Sequence, residues 1–240
     1  MYKRLAMSPL LATTALFSLE GIAFAEIFHG SLYPWEALSK LSKYLESKTL
    51  GNIEIAVPAS VHLAQPELIS IGKGTVIEPG VFIKGPCIIG ENCEIRHGAY
   101  LRGPLLIGHR CVVGHATEVK HSILLNDACL GHLNYVGDSV VGQRVNIGAG
   151  VKCANLRFDH REVQIALKDQ KVATGLKKLG AILGDDAQVG CNAVTNPGTV
   201  VCKAAFCRPC VAISGYVSSV YKMKSSKGAV KDEYADSTRK

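Results

Sequence analysis

Three features of the sequence predict an all-β protein whose body is a parallel β-helix of hexapeptide repeats. Aliphatic residues recur every six positions over most of residues 71–213, and glycine often follows them, as a tight corner requires. Apolar residues make up 48% of the chain but aromatic residues only 6%, which favours a core of Ile, Val and Leu. Half-buried strands would alternate at period two and helices at about 3.6. A six-residue period instead indicates short strands and turns, with three repeats in a coil of about eighteen residues.

The first 52 residues are predicted to form an N-terminal arm and one short helical region. A basic start and an apolar stretch at residues 10–19 imitate a secretory signal. Polar residues interrupt that stretch, and it is too short to span a bilayer. We therefore favour a structured arm. The helix is expected to begin at Pro34, which suits a first helical turn, and to end near Gly51.

The β-helix itself is predicted over residues 53–218, and residues 219–240 are predicted to form a polar, loosely ordered tail. Two steps of the repeat are five residues long instead of six, at 119–124 and at 136–141. The predicted inward positions are Ile71, Ile77, Ile83, Ile89, Ile95, Leu101, Ile107, Val113, Val119, Leu124, Leu130, Val136, Val141, Ile147, Cys153, Leu183, Val189, Thr195, Val201, Cys207 and Ile213.

The repeat breaks between its inward positions 153 and 183, where an insertion is predicted at about 156–180. Segments 161–167 and 171–176 have the apolar pattern of two strands around a polar turn. The sequence therefore predicts an inserted β-hairpin that projects from the β-helix.

The register of the coils predicts a column of cations. Residues one coil apart lie above one another, so Lys84, Arg102 and Lys120, which each follow an inward aliphatic residue, should stack. Three stacked cations repel one another unless an anion or acidic side chains lie among them. We interpret the column as a phosphate-binding site, with three solvated charges that splay outward as the alternative.

A second column is predicted to contain histidines. His97, His115 and His132 each lie two positions after an inward aliphatic residue, at a corner of the coil. A linear stack suits tetrahedral zinc poorly, so no metal site is predicted. A histidine in this position more often serves as a general base or as an ordinary corner residue.

Composition argues against several other classes of function. The formal charge of +7 is diffuse, and no basic run alternates with aromatic residues, so nucleic-acid binding is not predicted. The nine cysteines are irregularly spaced, unlike a secreted disulfide framework, and are expected to be free thiols in a reducing cytoplasm. The pair Cys207 and Cys210 is a weak zinc or redox signal.

Four short motifs carry a resemblance to a known family. They are GHATEVK at 114–120, GHLNYVGD at 131–138, VNIGAG at 145–150 and ANLRFD at 154–159. The first three resemble the acetyltransferase half of bifunctional N-acetylglucosamine-1-phosphate uridyltransferase/glucosamine-1-phosphate acetyltransferase. The fourth also resembles the C-terminal β-helix of sugar-1-phosphate nucleotidyltransferase-like proteins. The resemblance extends over about residues 95–155 and 180–215 and implies a left-handed β-helix and a homotrimer with sites between subunits.

The resemblance also assigns roles to individual residues. His132 matches the catalytic base that takes a proton from the attacking amine. The substrate-binding residues are Arg102, Lys120, Tyr135 and Asn146, to which the cation column adds Lys84. The coenzyme-binding positions are Ala149, Asn155, Leu156, Cys191 and Pro209. Two of these coenzyme positions, Cys191 and Pro209, replace small Ser and Ala of the family.

The function implied is acetyl-CoA-dependent N-acetyl transfer to an amino-sugar phosphate or nucleotide sugar, with acetyl-CoA or another acyl donor as co-substrate. No metal takes part in that reaction, no membrane span is expected, and the expected location is the cytoplasm. The first 70 residues lack the pattern of a nucleotide-binding α/β domain, so no nucleotidyltransferase activity is expected. The predicted hairpin would reshape the acceptor site.

Two alternatives remain open. The first is a non-catalytic β-helix that binds nucleotide sugars and is related to sugar-1-phosphate nucleotidyltransferases. The second is a metal-dependent hydratase, because hydratases of this fold use histidines from neighbouring coils and subunits.

Overall fold

The computed structural model describes residues 8–218, in which the chain winds as a parallel β-helix from Ile53 to Val217. Each coil is triangular and contributes one short strand to each of three faces. All strand pairs of the β-helix are parallel. Outside the insertion they join residues 16–18 positions apart, as between Leu101 and Val119, except in the coil that begins at His62, where the spacing is 20. The predicted all-β, parallel β-helix is confirmed.

The three faces are defined by their strands. Face one contains Val76–Ile77, Glu94–Ile95, Val112–His115, Cys129–His132, Asn146–Ile147, Gln188–Val189 and Phe206–Cys207. Face two contains His62–Ala64, Phe82–Lys84, Tyr135–Gly137, Lys152–Cys153, Val194–Thr195 and Ala212–Ile213. Face three contains Ile69–Ile71, Cys87–Ile89, Val140–Val141, Ala181–Leu183, Thr199–Val201 and Tyr216–Val217. Two long strands, Tyr100–Ile107 and Glu118–Leu124, run round the corner from face two to face three.

The interior of the β-helix is the predicted aliphatic series. Every residue of that series is buried, and all of them except the polar Thr195 belong to one continuous apolar core. All nine cysteines have free thiols. Cys207 lies in this core whereas Cys210 is exposed, so the two cysteines of the CxxC pair do not form a joint site.

The outer side of face three is also apolar, which the six-residue repeat did not predict. Leu106, Ile123, Val140, Ile182 and Val200 form an outward row there, and each is fully buried. Helix Trp35–Glu46, together with the short helix Thr13–Leu16 and the 3-10 turns Pro9–Leu11 and Ala25–Phe28, belongs to the apolar cluster that covers this row. The predicted N-terminal helical region is therefore confirmed, and it closes one face of the β-helix.

Polar residues at the corners of the β-helix anchor the N-terminal arm. The buried Asp185 carboxylate accepts hydrogen bonds from the Ser18 backbone N–H at 2.7 Å and from the Gln143 backbone N–H at 2.8 Å. The Gln143 side chain donates to the Ser18 carbonyl at 2.7 Å, and Asn126 donates to the Gly21 carbonyl at 3.0 Å. These hydrogen bonds satisfy backbone groups of the arm, which lose their hydrogen bonds to water when the arm packs on the β-helix.

The insertion contains an antiparallel hairpin of strands Gln164–Ala166 and Lys171–Ala173, which confirms the predicted hairpin. The prediction that it projects is wrong. Its alternating apolar residues Val163, Ile165 and Val172 are buried in the same cluster as the N-terminal arm, so burial of that side holds the hairpin against the β-helix.

The division of the chain at residues 52 and 218 stays a prediction, and the predicted tail at 219–240 lies outside the described residues. Among residues 8–218 there is no helix with the length and apolar character needed to cross a membrane.

Two glycines provide a test of how closely the coils stack. A Cβ on Gly114 would overlap the Gly131 carbonyl of the next coil, whereas a Cβ on Gly131 would meet nothing closer than 3.9 Å. We predict that Gly114→Ala lowers the free energy of unfolding by about 3 kcal/mol or more, while Gly131→Ala changes it by less than about 1 kcal/mol. Chemical denaturation of both variants measures this difference. Equal effects would contradict the register described above.

Candidate functional site

The histidine column forms at the corner between faces one and two. His132 pairs with His115, and the rings of His115 and His97 are parallel, with centroids 5.6 Å apart and planes 6° apart. The Nδ1 atoms of His97 and His115 meet the backbone carbonyls of Pro79 and His97 at 2.6 and 2.9 Å. The exposed His132 ring makes no hydrogen bond with residues 8–218. Of the three rings, His132 is therefore the one whose nitrogens are both available to a ligand.

Three of the predicted coenzyme positions continue this column. Ala149, Cys191 and Pro209 occupy the same corner position in the coils that follow His132, and backbone hydrogen bonds of 2.8–3.0 Å join the corner of each coil to the next. Cys191 is exposed there. We call His97, His115, His132, Ala149, Cys191 and Pro209 the histidine corner. It places the exposed His132 imidazole in line with the Ala149, Cys191 and Pro209 side chains of the following coils.

The cation column forms at the opposite edge of face two. Lys84 pairs with Arg102, and Arg102 pairs with Lys120, so the predicted stack is confirmed. The next position of the column is Gly137, where a side chain would collide with the Tyr135 hydroxyl at 2.5 Å. The glycine thus leaves room for Tyr135 to fold over the end of the column.

Acidic side chains separate the stacked cations. Arg102 Nη1 lies 2.6 Å from Glu118 Oε1, and this hydrogen bond raises the pKa of Arg102 above its ordinary value. Lys120 Nζ lies 3.2 Å from Asp138 Oδ2. The exposed Lys84 makes no ion pair within the described part of the chain. These two acids explain how the column tolerates its mutual repulsion.

Asp138 is the centre of this cluster, and the sequence did not predict it. Its buried carboxylate accepts hydrogen bonds from His121 Nδ1 at 2.7 Å, from Lys120 and from the Asn155 amide. Burial raises the pKa of Asp138, but the hydrogen bonds from His121 and Asn155 and the charge of Lys120 outweigh burial, so its pKa lies below the ordinary value. Asp138 is therefore ionised at neutral pH.

Tyr135 lies between the two edges of face two. It pairs with Glu118 on one side and Lys152 on the other, and its ring is half-buried. Burial raises the pKa of Tyr135, and the charges of Asp138 and Glu118 raise it further. Tyr135 consequently offers a neutral hydroxyl as a hydrogen-bond donor or acceptor at the surface of face two.

The other predicted site residues lie elsewhere. Asn146 is exposed on face one, beyond the histidine corner. Leu156 is 38% exposed at the start of the insertion, and Asn155 belongs to the Asp138 cluster. His132 and Gly137 border opposite edges of face two, with the strand Tyr135–Gly137 leading from one edge to the other. One chain therefore presents two groups of site residues, not a single cluster.

No group of three His, Cys, Asp or Glu side chains within residues 8–218 is arranged to hold a metal ion.

Known proteins resemble this chain mainly over the coils just described. A family model described as GMPPB C-terminal domain matches residues 83–205. The bifunctional sugar-1-phosphate nucleotidylyltransferase/acetyltransferase of Sulfurisphaera tokodaii is 46% identical over 70 residues, which are 29% of this chain and 18% of that protein. The bifunctional protein GlmU of Methanococcus maripaludis is 33% identical over 186 residues, which are 76% of this chain and 44% of that protein.

A solved structure, the UDP-N-acetylglucosamine acyltransferase from Campylobacter jejuni, covers 68% of each chain at 14% identity and a TM-score of 0.38. The chain spans less than half the length of either curated relative. The family match and the curated relatives confirm the resemblance drawn from the sequence motifs.

The ionised Asp138 predicts a pH dependence of stability. Because its folded-state pKa lies below the unfolded value of about 3.9, its charge stabilises the fold fully above that value, and this stabilisation is lost as the pH falls through the folded-state pKa. We predict that Asp138→Asn lowers the free energy of unfolding by about 2 kcal/mol at pH 7 and by less as the pH falls below about 4. Denaturation between pH 7 and 2 measures both.

The matched control is Asp127→Asn, which removes an exposed carboxylate that pairs with Arg110 at 2.7 Å. A surface pair of this kind contributes about 0.5 kcal/mol. A loss of stability in Asp138→Asn that is constant over the whole pH range would contradict the assigned charge.

Proposed function

The chain belongs to the GMPPB C-terminal domain family, and we propose that it is an acyltransferase. Its reaction would be acetyl transfer from acetyl-CoA to the amine of an amino-sugar phosphate or nucleotide sugar. The observation that carries the proposal is the histidine corner, where the exposed His132 ring has no partner within residues 8–218 and lies in line with Ala149, Cys191 and Pro209. A matched relative named as a nucleotidylyltransferase/acetyltransferase supports it.

The proposed chemistry is direct transfer. The acceptor amine attacks the thioester carbonyl of acetyl-CoA, a C–N bond forms, and His132 takes a proton from the amine nitrogen. The tetrahedral intermediate then expels the coenzyme thiolate, which receives that proton from the His132 imidazolium. A backbone N–H or an Asn side chain at the corner stabilises the oxyanion. No cysteine acts as a nucleophile in this scheme.

The cation column would hold the acceptor. Lys84 is free to pair with a phosphate, and Arg102 and Lys120 can turn toward it from Glu118 and Asp138. Tyr135, between the two edges of face two, would contact the sugar. In the trimer proposed below, these contacts would orient the amine toward the histidine corner of a neighbouring subunit, so that binding places the amine in a near-attack geometry.

We further propose a homotrimer with the sites between subunits. Support comes from the separation of the two groups of site residues and from the position of the exposed Leu156, which lies away from the histidine corner of its own chain. Face three is occupied by the N-terminal arm, which leaves faces one and two for contact between subunits.

A second candidate function is nucleotide-sugar binding without catalysis. One observation favours it: an aromatic row, His62, Phe82 and Tyr100, lies on face two beside Lys84 and Arg102. The rings of His62 and Phe82 stack with centroids 4.6 Å apart, and Arg102 lies 5.5 Å from the Tyr100 ring centroid. Aromatic and cationic groups together suit a base and its phosphates.

The acyltransferase proposal predicts that His132→Ala lowers kcat at least about 100-fold and leaves KM for both substrates within a few fold, because a general base acts in the transition state. The measurement is acetyl transfer from acetyl-CoA to a panel of amino-sugar 1-phosphates. His97→Ala, in which the lost ring bonds only a backbone carbonyl, should retain turnover. Absence of turnover by the parent across the panel would refute the proposal and favour the binding function.

The same proposal predicts that acetyl-CoA shields Cys191. The coenzyme would cover the exposed thiol in the histidine corner, so alkylation of Cys191 should slow at least about fivefold when acetyl-CoA saturates the protein. Peptide mass spectrometry after timed alkylation resolves the nine cysteines individually. Cys202, which lies beyond face three, serves as the reference and should react at the same rate in both samples. Equal rates for Cys191 would place the coenzyme elsewhere.

A further inference from the structure

His121 has an imidazole that is oriented by a buried carboxylate, and nothing in the proposed transfer uses it. It follows Lys120 in the strand Glu118–Leu124, at the corner between faces two and three. Its Nδ1 lies 2.7 Å from Asp138 Oδ1, and the Asp138 side chain is 5% exposed. The carboxylate fixes the ring and leaves Nε2, which makes no hydrogen bond within residues 8–218, as the nitrogen that can meet a ligand.

The Asp138 carboxylate also brings His121 into the cation column. Lys120 Nζ contacts the second oxygen of that carboxylate at 3.2 Å, so the ends of both side chains lie at one group. Arg102 pairs with Lys120 in the adjacent coil. The exposed fractions of the Lys120 and His121 side chains are 24% and 28%, so both are partly open to solvent.

Because Nδ1 donates to the Asp138 carboxylate, Nε2 can donate to a phosphate oxygen only when both ring nitrogens carry a proton. The column has three positive charges, from Lys84, Arg102 and Lys120, and two negative charges, from Glu118 and Asp138, which leaves one. A phosphate monoester has a charge of about −1.5 to −2 at pH 7. A protonated His121 adds one positive charge and one N–H donor to those of the column.

We infer that His121, oriented by Asp138, is a phosphate-binding residue of the acceptor site and takes up a proton when a terminal sugar phosphate binds. The inference rests on the proposed function for its ligand class, a sugar with a phosphate monoester. His121 Nε2–H donates to a phosphate oxygen beside Lys120 and Arg102. Asp138 is a positioning residue, because it acts through the imidazole.

The charged and titratable groups that face His121 lie in the elements around it. Helix Trp35–Glu46 packs on the face-three halves of the two long strands and makes no hydrogen bond or ion pair with this cluster among residues 8–218. The charged and titratable groups near His121 are Arg102, Glu118, Lys120, Tyr135, Asp138 and, beside Leu156 at the end of the insertion, Lys178.

The test uses His121→Asn in the full chain. The amide of the new Asn can replace Nδ1 as the donor to Asp138. Asn also tolerates the left-handed backbone of this position, where φ is +45°. The substitution therefore removes Nε2 while keeping the donor to Asp138. The control is His160→Asn, since His160 also has a left-handed backbone, with φ of +54°, and its ring has no hydrogen-bond partner among residues 8–218.

The ligand is N-acetylglucosamine 1-phosphate, which has no amine that could titrate. Isothermal titration at pH 8 in two buffers of different ionisation enthalpy gives the affinity and the protons taken up. We expect the parent and His160→Asn to bind with net proton uptake, and His121→Asn to bind about tenfold more weakly without it. If His121→Asn binds the ligand with the same affinity and the same proton uptake as the parent, the inference is overturned. If His121→Asn does not fold, the titration of the parent protein tests the inference by itself. Binding of the ligand by the parent without proton uptake would overturn the inference.

Acetyl transfer measured on the same proteins separates this inference from the proposed function. If the parent binds the phosphate with proton uptake but transfers no acetyl group, the acyltransferase proposal fails and the role of His121 stands. If the parent transfers acetyl groups and His121→Asn has the same KM for the acceptor, the role of His121 fails and the acyltransferase proposal stands.

Discussion

Parallel hydrogen bonding between successive coils is the constraint on which the rest of the structure depends. Each strand pairs with the strand one coil earlier and one coil later, so a residue's position in the repeat fixes its face and its neighbours along the axis. The inward aliphatic residues keep this register, because a slip of one position would carry a whole row of apolar side chains into water. The two columns that border face two, the histidine corner and the cation column, are direct consequences.

Burial on the outer side of face three adds a second constraint. A β-helix with an apolar outer row cannot leave that row in water, and the N-terminal arm and the hairpin both pack there. Polar corner residues such as Asp185 and Gln143 hold the arm in place. The proposed site therefore borders face two, which neither the arm nor the hairpin covers along the cation column.

The sequence predicts the fold and the two columns well because both depend on spacing alone. The stack of Lys84, Arg102 and Lys120 and the stack of His115 on His97 follow from counting coils. Spacing does not say where a corner side chain points, and for that reason the Asp138 cluster was not predicted. A signal was present: His121 and Asp138 lie in the two five-residue steps of the repeat, and both adopt left-handed backbone conformations there.

The insertion shows the same limit. Alternating apolar residues correctly indicate a hairpin, but only the packing of Val163 and Ile165 reveals that it lies against the β-helix and does not project. Glu118 is a third example, because its partner Arg102 comes from the preceding coil and is sixteen positions away in the chain. Such pairs depend on the side-chain rotamers of both residues, and the spacing of residues in a repeat does not determine those rotamers.

The central claim is that one corner of the β-helix receives the acyl donor while the other edge of face two receives the acceptor's phosphate. The most direct measurement is a crystal structure of the protein with coenzyme A and N-acetylglucosamine 1-phosphate. The claim predicts the coenzyme sulfur beside His132 with the pantetheine along Ala149 and Cys191, and the phosphate on Arg102 and Lys120. A coenzyme bound away from the histidine corner, or a phosphate bound away from the cation column, would contradict it.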